Sequence, residues 1–301
     1  MLALLGGALV CLACEVLPWE GDSFLPVPSG QGYIYISPAD KYIYAAEAAH
    51  VDKPVLLAQT EGIEELSLSR DGRQLAYVAR PAQATAQQLY VLPLQGGAER
   101  LVVPAHALPA GTTLFAPAFS PSGNQVAFGY AEGGRFYIGL VNVDGSGLRQ
   151  LAGDCFSPNF LREEALWAVR LEGGNMVLVA LDTTRGVELD RRAQVGLSWA
   201  PSSRLRLSPG GEYVAWNAPA SHALGSPRIF IWGLHDGAVW QLTEPNEAGA
   251  ADFMPFWKDK ATVLWTAERG GRLHAYSASF QESKTTGTLE KENALNAVWR
   301  P

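Results

Sequence analysis

One unit recurs along this chain, at a spacing that few folds accommodate. Leu66-Ser67-Leu68-Ser69-Arg70-Asp71-Gly72 returns as Pro117-Ala118-Phe119-Ser120-Pro121-Ser122-Gly123. It returns again as Cys155-Phe156-Ser157-Pro158, as Leu205-Arg206-Leu207-Ser208-Pro209-Gly210-Gly211, and in worn form as Phe256-Trp257-Lys258-Asp259. Each copy reads as a short strand running into a tight turn, because Pro presets φ and Gly tolerates positive φ. A second strand with an aromatic follows each turn: Leu75-Ala76-Tyr77, Val126-Ala127-Phe128, Ala165-Leu166-Trp167, Val214-Ala215-Trp216 and Val263-Leu264-Trp265. A third opens on a polar residue and turns apolar, as in Gln88-Leu89-Tyr90-Val91, Arg135-Phe136-Tyr137-Ile138, Asn175-Met176-Val177-Leu178, Arg228-Ile229-Phe230-Ile231 and Arg272-Leu273-His274-Ala275. A Gly-containing turn, such as Asp144-Gly145-Ser146-Gly147, leads to a fourth strand expected to end on Leu101, Leu151, Leu189, Leu242 or Leu289.

Four strands per unit, named A to D from the centre outward, predict the blades of a β-propeller. The two ends complete the count. Tyr33-Ile34-Tyr35-Ile36, Lys41-Tyr42-Ile43-Tyr44 and Val55-Leu56-Leu57 fit strands B, C and D, and no A strand precedes them. Asn296-Ala297-Val298-Trp299-Arg300-Pro301 fits an A strand, after which the sequence stops. The expected fold is therefore all-β: a six-bladed β-propeller with four-stranded antiparallel blades, closed by a C-terminal strand that completes the N-terminal blade. Such closure removes free sheet edges. Residues 32–301 give 45 per blade, within the usual repeat of ~40–45. Small Ser, Ala and Cys residues in strand A suit the crowded axis, and a sandwich predicts no such recurrence.

Composition agrees. Hydrophobic residues are 48% and charged residues 18%, enough for a packed core and too little charge for a disordered chain. The net charge of −7 argues against nucleic acid, which calls for a basic stripe. A monomer is expected.

The N-terminus reads differently. Met1 to Ala13 carries no charge and is almost wholly apolar, too short for a comfortable membrane span and suited to a signal peptide. It ends in Leu12-Ala13-Cys14, which resembles a bacterial lipobox. Cys11 stands where Leu is usual, and no Lys or Arg opens the segment. Residues 1–13 are accordingly read as signal peptide, Cys14 as the lipidation site, 14–31 as a Pro- and Gly-containing tether, and 32–301 as the propeller. Cys155 then has no partner and is expected to be buried and reduced.

These residues resemble the TolB-type propeller repeat, with its Ser-Pro-Asp-Gly turn, "Ile-Tyr" strand, Asp-Gly turn and closing Leu-Thr. The segment from Ser120-Pro121-Ser122-Gly123 to Leu151 is the nearest copy. The resemblance implies a six-bladed ring and an extracytoplasmic setting, and the lipobox-like Leu12-Ala13-Cys14 adds a membrane anchor, so the protein is expected to be membrane-anchored in the periplasm or at the cell surface. It fixes no partner, since one fold hosts many functions. TolB itself has an N-terminal α/β domain, whereas only the tether stands before the first blade here. Peptidases of the prolyl-oligopeptidase type use similar propellers, but no Gly-x-Ser-x-Gly elbow is present.

The expected function is a non-enzymatic envelope lipoprotein, a propeller scaffold that binds an envelope protein or polymer. The alternative is a propeller hydrolase or lyase with its site at the channel mouth. No catalytic residue is assigned. The histidines His50, His106, His222, His235 and His274 show no metal-ligand spacing, so neither metal nor cofactor is expected. His274 is read as a packed residue in the slot held by Tyr90, Tyr137 and Phe230. Glu163-Glu164 is read as a solvated A–B turn. Partner-binding candidates lie at the B–C connections: Arg80, Arg135, Arg170, Arg228, Arg269 and Arg272, with His222 in the long insertion from Asn217 to Pro227. Only ring closure brings these blades' arginines to one face, where they would grip a carboxylate-bearing partner. Glu61 to Glu65 share that face and could neutralise them.

Overall fold

A computed structural model describes residues 30–82, 84–173, 175–194, 204–219, 226–282 and 284–300. The segment read as a signal peptide, Cys14 and His222 lie outside these residues. In blade 1, β1 (Gly32–Ile36), β2 (Ile43–Glu47) and β3 (Val55–Ala58) are the B, C and D strands. Blade 2 is β4 (Ile63–Leu68), β5 (Gln74–Ala79), β6 (Gln88–Pro93) and β7 (Arg100–Val103). Blade 3 is β8 (Thr113–Phe119), β9 (Gln125–Glu132), β10 (Arg135–Asn142) and β11 (Arg149–Gly153). Blade 4 is β12 (Cys155–Arg162), β13 (Ala165–Glu172), β14 (Asn175–Asp182) and β15 (Glu188–Gln194). Blade 5 is β16 (Leu205–Leu207), β17 (Tyr213–Pro219), β18 (Pro227–Gly233) and β19 (Val239–Gln241). Blade 6 is β20 (Ala251–Trp257), β21 (Thr262–Arg269), β22 (Arg272–Ser279) and β23 (Thr288–Glu292). β24 (Leu295–Arg300) then pairs with β1 and completes blade 1. Each A strand packs beside the next, β24 against β4 through to β20 against β24, so the ring closes.

The A–B turns explain the recurring Ser-x-x-Gly. In blades 2, 3 and 5 the Ser carbonyl accepts the Gly N–H three residues on, at 2.9, 2.9 and 2.8 Å. Gly72, Gly123 and Gly211 sit at φ of +69°, +74° and +75°, which residues with a Cβ rarely adopt. The hydroxyls of Ser69, Ser120 and Ser208 accept the N–H groups that follow and so leave no buried donor unpaired.

Strand A carries a second device. Ala116, Ser157, Met254 and Asn296 all have φ near +50° (+49°, +50°, +53° and +48°), and the A–B ladder slips beside each one. These are β-bulges, which sharpen twist and re-aim side chains near the axis. Pro117, Pro158 and Pro255 follow three of them directly, where the lost ladder bond is no loss. Ser157-Pro158 is therefore not the blade 4 copy of Ser120-Pro121. It lies inside β12, whose turn is Glu163–Glu164; Glu164 faces solvent as expected, whereas Glu163 is half-buried and accepts the Ser122 N–H of blade 3.

The repeated aromatics form stacked cross-strand pairs between B and C. Ring centroids are 5.2 Å apart for Tyr77–Tyr90, 5.0 Å for Tyr130–Tyr137, 5.4 Å for Trp216–Phe230 and 6.3 Å for Trp265–Tyr276. Each such pair adds about 0.5–1.5 kcal/mol beyond the apolar area it buries. Tyr276, directly opposite Trp265, fills the slot expected of His274; His274 pairs instead with Ala267, two residues off. The D strands also depart from expectation. Leu151 and Leu242 are buried, whereas Leu101, Leu189 and Leu289 are exposed. The latter three lie near the start of their strands, which run on past them.

The β24–β1 ladder completes blade 1, and polar chemistry helps hold the seam between blade 1 and blade 6. Glu290 accepts from the Tyr33 and Ser277 hydroxyls and from Lys258 Nζ at 3.1 Å. Lys258 also lies 4.2 Å from the Trp299 ring centroid. Burial alone would raise the Glu290 carboxyl, but the donors of Ser277, Tyr33 and Lys258 outweigh it and hold the group below its ordinary value. Its contribution to stability is therefore complete above the ordinary carboxyl range and drains away as pH falls through the depressed folded value. Replacing Glu290 with Gln is expected to flatten the acid limb of a stability–pH curve from urea titrations. An unchanged limb would remove the seam from the acid response.

Candidate functional site: the channel and the rim

Charge enters the channel on two A strands, in positions that the other blades fill with neutral residues. Glu65 on β4 is 4% exposed. Arg204, immediately before β16, donates Nε to Glu65 Oε1 at 2.7 Å. Blades 2 and 5 face each other across a ring of six, so this ion pair spans the axis. The Ala116 N–H of blade 3 donates to Glu65 Oε2 at 2.7 Å, an accessible donor only because the bulge withdraws it from the ladder. The Arg204 guanidinium lies 5.4 Å from the centroid of Phe115 and also takes part in cation–π attraction. Three blades thus meet on one carboxylate.

Arg206 is two residues further along, on the same side of the strand. Among the described residues its guanidinium makes one hydrogen bond, Nη1 to the Leu205 carbonyl at 3.2 Å. Burial pushes this guanidinium below its ordinary value, while Glu65 pulls it back up and Arg204 pushes it down. Arginine nevertheless stays charged. Above the cross-axis pair the channel opens into a cavity of about 400 Å³, lined by Ile63, Glu64, Glu65, Arg204, Met254, Leu295, Gly62 and Lys41.

The six rim arginines come one from each of blades 2 to 5 and two from blade 6. Three are occupied locally. Arg170 pairs with Glu188 at 2.8 Å and Glu172 at 3.6 Å. Arg228 donates to the carbonyls of Ala250 and Pro227, at 2.6 and 2.9 Å. Arg269 pairs with the buried Asp252 at 2.6 Å, which also accepts from Trp265 Nε1 at 3.0 Å. Arg80, Arg135 and Arg272 are exposed, and their side chains have no hydrogen-bond or ion-pair partner among the described residues. Of the acidic residues on this face, Glu65 is taken by Arg204, while Glu64 and Glu61 accept from Gln87 and the Ala82 N–H.

The channel group escaped the sequence reading, although one signal was available: Arg204 and Arg206 stand where an A strand elsewhere carries Ala, Ser, Asn or an apolar residue. Cys155 is free and buried, as expected. Burial raises its thiol above the ordinary value against the pull of Arg170, which disfavours the reactive thiolate. Among the described residues no three His, Cys, Asp or Glu side chains gather as a metal site, and no helix is long and apolar enough to cross a membrane.

No protein-family model matches this sequence, and no curated protein matches it. Solved structures do. TolB from Acinetobacter baumannii is 18% identical, with a TM-score of 0.66 over 91% of this chain and 67% of that one. The TolB structure from Agrobacterium tumefaciens is 15% identical, with a TM-score of 0.56 over 90% of this chain and 96% of that one. A puromycin-hydrolyzing peptidase from Mycobacterium tuberculosis is 15% identical, with a TM-score of 0.55 over 92% of this chain but 46% of the peptidase. Identities this low speak for architecture alone, and on that footing the chain folds as a six-bladed β-propeller of the TolB kind.

Proposed function

We propose that this protein is a non-enzymatic envelope lipoprotein, anchored through Cys14, whose propeller docks a protein or polymer on the face formed by the B–C and D–A loops. The observation that carries this reading is the unspent charge there: Arg80, Arg135 and Arg272 project from three blades with no side-chain partner among the described residues. Loops on a rigid ring are common carriers of recognition. The chain's entry supports the orientation. Gly32 pairs with Arg300 at the opposite end of blade 1, so a tether leading into β1 comes from the far face and leaves the arginine face free.

A hydrolase or lyase would need a nucleophile with its base, or two carboxyls over one cleft. At the channel mouth Glu65 is held by Arg204 and Ala116, and Glu64 by Gln87. Reversing the charge at Arg80, Arg135 and Arg272 together is expected to leave thermal melting unchanged and to abolish capture of the partner from detergent-solubilised membranes. Undiminished capture would move the contact elsewhere. Cys14→Ser should release the protein into the soluble fraction, and retention on the membrane would contradict the anchor.

A further inference from the structure

The channel holds an unbalanced charge. Glu65 neutralises one guanidinium, that of Arg204, and leaves Arg206 over. A guanidinium has five donors in a planar fork, and Arg206 spends one on the Leu205 carbonyl. Arg206 is half-buried in the channel, and a charge partly withdrawn from water is stabilised by a paired anion. The sequence offers no remedy nearby, since residues 195–203, immediately before Arg204, contain no Asp or Glu. Asn159, the neighbouring polar side chain from blade 4, is already committed: it donates to the carbonyls of Ser157 and Leu205 and accepts from the Leu207 N–H.

We infer that the central channel binds one carboxylate between Arg204 and Arg206. Geometry favours this class of anion. Arg204 and Arg206 project from alternate positions of one strand, on the order of 6–7 Å apart along it, a spacing that lets a planar carboxylate meet the free fork of Arg206 while facing Arg204. The cavity above reaches the channel group at Arg204 and Glu65, with Arg206 lying deeper than its walls, and it has both character and room for the rest of the ligand. Ile63, Met254 and Leu295 offer apolar wall, and Lys41 adds a cation at the mouth. A volume of about 400 Å³ admits a short apolar stem and excludes a bulky sugar polymer. The carboxylate could belong to a free small acid or to the C-terminus of a polypeptide; both present the same group. This site lies on the axis and does not depend on the rim arginines, so it stands or falls apart from the docking reading above.

Isothermal titration of the folded protein with isovalerate, with isovaleramide, and with a Leu-ending tripeptide in free-acid and amidated forms tests the inference. Saturable binding of isovalerate and none of isovaleramide are expected. If the free-acid tripeptide binds more tightly than isovalerate, the source is a chain terminus; if it does not bind, the source is a small acid. Arg206→Gln is expected to weaken binding at least tenfold, and Arg206→Lys, which keeps the charge but not the fork, to weaken it less. Glu65→Gln should tighten binding several-fold by removing the competing carboxylate, an effect that lost packing would not produce. Should Arg206→Gln fail to fold, the Arg206→Lys and Glu65→Gln pair still decides. Equal affinity of wild type and both Arg206 variants, equal binding of acid and amide, or no binding of either acid would overturn the site.

Discussion

A chain lacking residues 294–301 is expected to lose cooperative folding altogether. Those residues contain all of β24, the innermost strand of blade 1, whose register sets Tyr33 against Trp299 and Ile34 against Val298. Ala294, Ala297 and Val298 are buried, and Trp299 meets Tyr33 edge-on at 4.9 Å. Truncation therefore does three things at once. It bares the ladder edge of β1, which is buried along its whole length, and each unpaired backbone group there costs about 1–3 kcal/mol. It opens the apolar seam toward β4 and β20. It strips Lys258 of the nearer of its two aromatic partners, Trp299, and leaves it Tyr33. Set against a typical total stability of about 5–15 kcal/mol, the sum exceeds what the ring can lose. Circular dichroism should show no sharp thermal transition. A cooperative melt near that of the intact chain would mean that β24 does not close the ring.

The second large effect concerns the cross-axis pair. Arg204→Met is expected to cost about 3–5 kcal/mol, because it removes the guanidinium bonded to the buried Glu65 carboxylate and leaves it only the Ala116 N–H as a direct partner. The pair itself is no strong source of stability, since bringing both charges out of water offsets most of their attraction. The double variant Glu65→Gln, Arg204→Met should therefore recover much of the loss, and urea unfolding of the four proteins in a cycle would measure the coupling. A loss below about 1 kcal/mol in the single variant, the figure for an exposed surface pair, would place these side chains in solvent rather than in the channel.

How much of this was legible in the sequence depended on whether the information was local. Turn chemistry was: Ser69, Ser120 and Ser208 with their glycines announce themselves within a few residues. The shared blade was legible because three strands at one end lacked what the other end supplied. Alignment by motif went astray where two different devices use the same residues. Ser157-Pro158 resembles a turn, yet it is a bulge like Ala116-Pro117, and only the ladder distinguishes them. His274 was misplaced because strand C was aligned by its polar opening residue, whereas the structure aligns it by the ring that stacks on Trp265. The channel could not be read at all from neighbours in sequence. Glu65 and Arg204 are 139 positions apart and meet only because six blades make opposite walls. The rim arginines were placed on the right strands' ends, but whether a guanidinium is spent depends on loop backbone. Arg228 on the Ala250 carbonyl and Arg269 on Asp252 show that dependence.

The central claim is that a six-bladed ring is closed by strand β24 in register with β1. Native-state hydrogen exchange of the intact protein tests it directly, because a closing strand must share the opening free energy of the sheet it completes. The structure predicts that amides of β24 bonded to β1 exchange as slowly as those of β1 itself, and that both are released together at the global unfolding free energy. Exchange in 295–300 at the fast rate of a fraying terminus, with 32–36 still protected, would contradict the closed ring.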